Sequence, residues 1–304
     1  MNYYFCMSQK INKMNKFRRF TLVFVGFIFL VSCGVTLKNK QLKTEANQAF
    51  TNNDYKAALA SYEQIIESGK GVAGDIYNKA GISAWELGYT DKAINFLENG
   101  KKLKGADALG YYTLAKAYKK VDNLSREIIN LQLCVETAST ELMQDAKADL
   151  FDAYVRSENW SLADSLWNDL KPEYKQQLSF IEGYLKVKRN LKEIDEAKKI
   201  AEELLSKDKN SFEALDFLAD YYYTKADDLY VKEMNAYSSN KTMKQYKQLT
   251  KALKQVNADF KIARNYFETL YKMKPYKKYA KYLGNIYTRF ENKQKASYWY
   301  KLSK

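Results

Sequence analysis

Leu87-Gly88-Tyr89-Thr90-Asp91-Lys92-Ala93-Ile94 is a short polar turn with apolar flanks, and it separates two small residues, Gly81 and Ala93, that stand twelve positions apart. The same interval separates Ala46 from Ala58 across Asn53-Asp54-Tyr55-Lys56-Ala57-Ala58-Leu59, and Gly284 from Ala296 beyond Tyr282-Leu283-Gly284-Asn285-Ile286-Tyr287. An aromatic follows the second small residue by four at Tyr62, Trp167, Phe267 and Tyr300. Two antiparallel helices approach closely only where side chains are small, and a ring one turn later fills the space beyond the contact. The unit is a helical hairpin.

Moving outward, the second-helix small position recurs at 58, 93, 127, 163, 197, 263 and 296, six times as alanine. Glu127 departs from the pattern, so the third unit rests on spacing, on Ala115 and on Leu114 and Tyr118. The fifth unit, about 180–205, has a loose first helix and a longer turn through Arg189-Asn190-Leu191-Lys192. All intervals lie between 33 and 36 except that from Ala197 to Ala263, which is 66. Leu218-Ala219 resembles a first-helix small site, yet Ala263 follows Ala219 by 44 positions instead of twelve. Either comparison leaves an excess of 32 residues, at about 225–256, free of proline and glycine and apolar at helical intervals. Both helices of the sixth unit are therefore expected to extend into an arm that breaks near Ser238-Ser239-Asn240, and Pro275 closes the second of them.

These stretches resemble the tetratricopeptide repeat family over about residues 41–304. The resemblance implies an all-α, right-handed superhelical solenoid of about seven helix-turn-helix units, the sixth carrying the insertion. It also implies a concave surface built by the first helices, where stacked repeats meet a peptide or a partner helix. Phe50, Trp85 and Tyr112 are available to that groove. In members that clamp a C-terminal carboxylate, a Lys and an Asn of the first repeat join an Asn of the second. Lys43, Asn47 and Asn78 come near that arrangement, with Asn78 one position out of register and Lys116 and Lys120 close to the third repeat's places.

Composition agrees with helix. Two prolines and twelve glycines in 304 residues are too few turn-makers for an all-β fold. The absence of histidine removes the commonest general acid/base and the commonest zinc ligand. No enzyme, cofactor, metal or small-molecule substrate is expected. Gly69-Lys70-Gly71-Val72-Ala73-Gly74 spells a dinucleotide fingerprint, but a repeat helix precedes it where a strand is required, so it reads as an inter-repeat loop. Adjacent carboxylates such as Asp227 and Asp228 point apart on a helix, and Cys134 occupies an apolar packing position.

The N-terminus has its own grammar. Lys16, Arg18 and Arg19 precede an apolar run from Phe20 to Val31, twelve residues long and too short to span a bilayer. With Leu30-Val31-Ser32-Cys33-Gly34 it resembles a bacterial lipoprotein signal. Residues 1–32 are then the signal peptide, with a possible start at Met14, Cys33 is the lipid attachment point, and 33–40 form a tether. Gly34 in place of an aspartate, and no acidic residue in the next six positions, point to the periplasmic face of the outer membrane.

The formal charge of +14 is unevenly placed. Residues 225–304 hold 19 basic and six acidic side chains, whereas 33–224 hold 26 and 30. An envelope lipoprotein meets little nucleic acid, so the lysines point to an acidic protein, lipid or glycan. The expected role is a membrane-tethered scaffold that binds another cell-envelope protein through the groove, or through the arm with Lys241, Lys244, Lys247 and Lys251. The alternatives are a subunit of an outer-membrane assembly or secretion complex, and a glycan-uptake lipoprotein.

Overall fold

The computed structural model describes residues 40–69 and 72–304, so the signal peptide, Cys33 and residues 33–39 of the tether lie outside the described residues, as do Lys70 and Gly71 of the glycine-rich loop. Every regular element among the described residues is a helix. Two compact units divide inside one of them, between Ala146 and Lys147. The first unit holds α1 (40–51), α2 (Tyr55–Glu67), α3 (Gly74–Glu86), α4 (Thr90–Lys102), α5 (Ala108–Lys120), α6 (Leu124–Thr137) and the start of α7 (Thr140–Arg156). The second holds the rest of α7, α8 (Trp160–Asp169), the single turn α9 (Pro172–Lys175), α10 (Leu178–Asn190) and α11 (Ile194–Lys207). It continues with α12 (Phe212–Ser239), α13 (Met243–Met273), α14 (Lys277–Arg289) and α15 (Lys293–Leu302). Apart from α9 the helices form seven hairpins.

The small residues sit where helices touch. Ala46, Ala58, Ala93, Ala163, Ala197 and Ala263 are fully buried. A Cβ on Gly81 would strike the Leu97 side chain, and one on Gly284 would stand 2.6 Å from the Tyr300 ring. Contact this close leaves no room for a methyl group. Around these contacts the first unit gathers a core of Leu59, Tyr62, Ile65, Ile76, Leu97 and Leu114. The second builds one core around Leu185, Leu204 and Leu218 and another around Phe260, Phe267, Leu270, Tyr279 and Leu283. Glu127 is buried at the site its counterparts fill with alanine.

Each hairpin turns through three residues. In six of them the middle one is left-handed: Asn53, Gly88, Asp122, Glu158, Lys192 and Glu291, each five positions before the contact residue of the second helix, which is alanine in five and Glu127 in the third. Its N–H donates to the carbonyl three back, and the next N–H donates to the carbonyl five back, as in Gly88 to Trp85 and Tyr89 to Ala84, or Lys192 to Arg189 and Glu193 to Lys188. These bonds satisfy carbonyls that the helix end leaves open. Gly88 is free of the Cβ penalty there and Asn53 and Asp122 are of types that tolerate it, whereas Glu158, Lys192 and Glu291 are not. The fifth hairpin shares this geometry: α10 is an ordinary 13-residue helix and residues 191–193 form a turn no longer than the others, because Arg189 and Asn190 still belong to the helix.

Tyrosine-carboxylate bonds join successive hairpins at equivalent places in both units. The Tyr118 hydroxyl donates to Glu98 Oε1 at 2.7 Å, and the Tyr287 hydroxyl donates to Glu268 Oε1 at 2.7 Å. Burial, reinforced by the neighbouring carboxylate, pushes both phenols up to about 12. The sixth hairpin differs in length. Its helices α12 and α13 run 28 and 31 residues, and their turn at residues 240–242 has no left-handed residue.

Candidate functional site

In the first unit the helices α1, α3 and α5 present a row of aromatic rings with lysines over them. Phe50, Trp85 and Tyr112 are half-buried. Lys79 Nζ lies 5.8 Å from the Phe50 ring centre, Lys116 Nζ 5.8 Å from Trp85 and 5.4 Å from Tyr112, and Lys120 Nζ 5.6 Å from Trp85. A cation over a ring face is held by the ring quadrupole, which keeps lysine stems flat on aromatic surface. The row therefore offers broad apolar contact with positive charge at its edge. Lys79, absent from the sequence candidates, stands two positions before the small residue Gly81, and that register was its only signal.

The other three first-unit candidates are engaged inside the protein. Lys43 Nζ pairs with Asp75 Oδ2 at 2.8 Å. Asn47 Oδ1 accepts from the Tyr62 hydroxyl at 2.9 Å and from Lys79 Nζ at 2.7 Å. Asn78 is 2% exposed, and its Oδ1 packs against Gly110 of α5, where a Cβ would strike it. A carboxylate clamp needs free donors on one surface; here a carboxylate already holds the lysine and helix packing covers Asn78.

The last hairpin repeats the Asn47 arrangement. Asn285 Oδ1 accepts from the Tyr300 hydroxyl at 2.9 Å, and its Nδ2 donates to the Tyr223 hydroxyl at 3.0 Å. These residues line a cleft of about 800 Å³ with Tyr230, Phe260 and Arg289. The Arg289 guanidinium is centred 3.8 Å from the Tyr230 ring centre and bonds Asp227 at 3.1 Å. The cleft thus has aromatic walls and an oriented amide.

A denser polar cluster ties α10, α12 and α14 together. Asp216 accepts from Lys278 Nζ at 2.8 Å, from the Tyr279 hydroxyl at 2.6 Å and from Arg189 at 3.0 Å, while Arg189 also bonds Asp220 at 2.8 Å. Burial works to raise the Asp216 carboxyl, but these three donors outweigh it and hold it below the usual carboxylate range. Asp220 moves the other way, raised by burial and by the charge of Asp216. Sequence gave no warning of this cluster, because its members lie 27 and 62 positions apart.

On the arm, Lys241, Lys244, Lys247 and Lys251 are all solvent-exposed, and none has an ion-pair partner among the described residues. Cys134 is a buried thiol, pushed up to about 11 by burial and so fully protonated at neutral pH. No helix among the described residues is long and apolar enough to cross a membrane.

Solved structures share this architecture. A candidate protein-binding protein from Bacteroides ovatus is 19% identical, with a TM-score of 0.50 over 72% of this chain and 98% of its own. The chain has the tetratricopeptide repeat fold. The C-terminal part of a repeat protein from Cytophaga hutchinsonii is 19% identical with a TM-score of 0.47, covering 85% of this chain and 92% of that one. A tetratricopeptide repeat protein from Parabacteroides merdae is 11% identical with a TM-score of 0.42, covering 88% and 92%. At such identities the likeness concerns fold alone. No family model matches the chain, and no curated protein does.

Proposed function

We propose that this protein is a non-enzymatic scaffold, tethered by lipid at Cys33 to the periplasmic face of the outer membrane, that holds another envelope protein on its first helices. The observation that carries the reading is the row of Phe50, Trp85 and Tyr112 with Lys79, Lys116 and Lys120 over the rings. Half-buried rings supply contact area at little entropic cost, and lysines at their edge steer an acidic partner segment. The tether reading rests on Lys16 to Arg19, the apolar run Phe20 to Val31 and the Ser32-Cys33-Gly34 junction.

Two experiments test the parts separately. Affinity capture from detergent-solubilised envelopes, with mass spectrometry of the co-purifying proteins, should yield a defined partner that Trp85→Ala and Tyr112→Ala lose together. Undiminished capture by both variants rejects the first-helix surface. Metabolic labelling with a fatty-acid analogue should mark the wild type and leave Cys33→Ser unlabelled; equal label removes the lipoprotein reading.

A further inference from the structure

The arm concentrates one sign of charge on an exposed helix face. Between Glu233 and Asp259 there is no acidic residue, while Lys241, Lys244, Lys247, Lys251 and Lys254 are all present and all exposed. At 100° per residue, the four lysines within α13 fall in an arc of about 80° on the helix side opposite Leu249, Val256 and Phe260, which are buried. The tip adds the positive end of a 31-residue helix whose first turn carries no acidic residue.

Two further observations identify what this surface meets. Every cation of the stripe is lysine and none is arginine. Arginine's planar fork matches single carboxylates and single phosphates alike, whereas lysine is a point charge on a flexible stem that suits many loosely placed headgroup charges. Among these lysines, at a convex tip, large apolar side chains stand in water: Met243 is 69% exposed and Tyr246 52%. Cations flanking an exposed thioether and phenol are the composition of a segment that rests in a headgroup layer.

We infer that the tip of the α12/α13 arm docks on a membrane surface containing anionic phospholipid headgroups, with Met243 and Tyr246 entering the interface and the lysines held at the phosphates. This goes beyond the partner reading and does not depend on it, while its role as a second hold rests on the lipid tether proposed above. The first-helix row of the first unit remains the protein-binding surface, and the arm gives the tethered body a second, reversible hold on the bilayer.

Amide hydrogen exchange on the full chain tests this directly. The protein is reconstituted into vesicles of phosphatidylcholine alone and of phosphatidylcholine with phosphatidylglycerol, so that the N-terminal anchor is satisfied in both. Exchange across 239–254 should slow by about tenfold or more only when phosphatidylglycerol is present. Raising ionic strength should abolish the protection, since a 1 M salt Debye length of about 3 Å screens the pairs. The quadruple variant K241E/K244E/K247E/K251E should show none while its helicity stays unchanged, and Met243→Ser should reduce it. Equal exchange in the two vesicles, or protection that survives the quadruple variant, overturns the assignment. Protection that appears in phosphatidylcholine only after an envelope protein extract is added also overturns it, in favour of an acidic protein. Trp85→Ala should leave the lipid-dependent protection intact, which separates failure here from failure of the partner reading.

Discussion

Six hairpins and one hairpin solve the same problem in different ways. In the six, helices of 10 to 17 residues reverse through a left-handed middle residue whose amide and the next donate back into the helix. In the sixth of the series, 28- and 31-residue helices reverse at 240–242 without any left-handed backbone. The tight turn is imposed by distance, because it stands five positions from a buried residue pressed against the partner helix. The arm's turn lies some twenty residues from Ala263 and escapes that constraint. Where geometry governs, the backbone is fixed and the side chain is almost free; where it does not, composition is available for a uniform charge.

The largest effect should come from the small-residue contact that both kinds of hairpin share. Ala93→Glu and Ala263→Glu force a charge into a dry interface with no room, and should cost several kcal/mol, read as a loss of midpoint in urea; about 3 or more is expected. The exposed Lys56→Glu serves as control and should stay within roughly 0.5 kcal/mol. Equal midpoints would break the register on which the comparison stands.

Next comes the cluster on α12. Asp216→Asn removes the charge and turns one of the two acceptor oxygens into a donor facing other donors, and should destabilise by about 3 kcal/mol at neutral pH. The sign in acid follows from the shift. Asp216 is held below its ordinary value, so its contribution is present above the usual carboxylate range and is lost as pH falls through its lowered folded value. Asp220 is raised, so its charge is a burden at neutral pH, and Asp220→Asn should be neutral or mildly stabilising there. A midpoint-versus-pH series for the two variants must diverge in these directions.

The bonds between hairpins rank third. Tyr118→Phe and Tyr287→Phe should each cost about 1 kcal/mol, measured by thermal or urea unfolding, since both phenols donate to an equivalent carboxylate. The turns themselves give the smallest effect and the sharpest contrast. Glu158→Gly and Lys192→Gly relieve left-handed backbone and should stabilise by roughly 0.5–1 kcal/mol, net of the extra unfolded-state entropy. Lys241→Gly, in the arm's turn, should give no gain.

Legibility followed the same division. Small residues twelve apart marked three of the hairpins, and the recurrence of the second-helix position every 33 to 36 residues located the others apart from the long sixth; close packing there excludes all but alanine and an occasional exception, and Glu127 shows the exception can be a buried carboxylate. The turns were visible at Gly88 and, less sharply, at Asn53 and Asp122, where residue type betrays conformation; Glu158, Lys192 and Glu291 adopt the same backbone under tertiary constraint and read as ordinary polar residues. The loose reading of the fifth turn came from that blindness. The aromatic members of the site were readable as rings on first helices available to the groove. The fate of Lys43, Asn47 and Asn78 was not, because it depends on Asp75, Lys79 and Gly110 across hairpin interfaces.

Cys134 closes the third hairpin's core as a protonated, fully covered sulfur. Among the described residues it is the single thiol, so the chain carries a built-in clock. A thiol reagent can reach it only during the moments when α6 lifts away, and the rate of its modification, compared with that of the unfolded chain, measures how often that happens. A partner or bilayer that steadies the first unit will slow this clock, and one that engages only the arm will leave its pace unchanged.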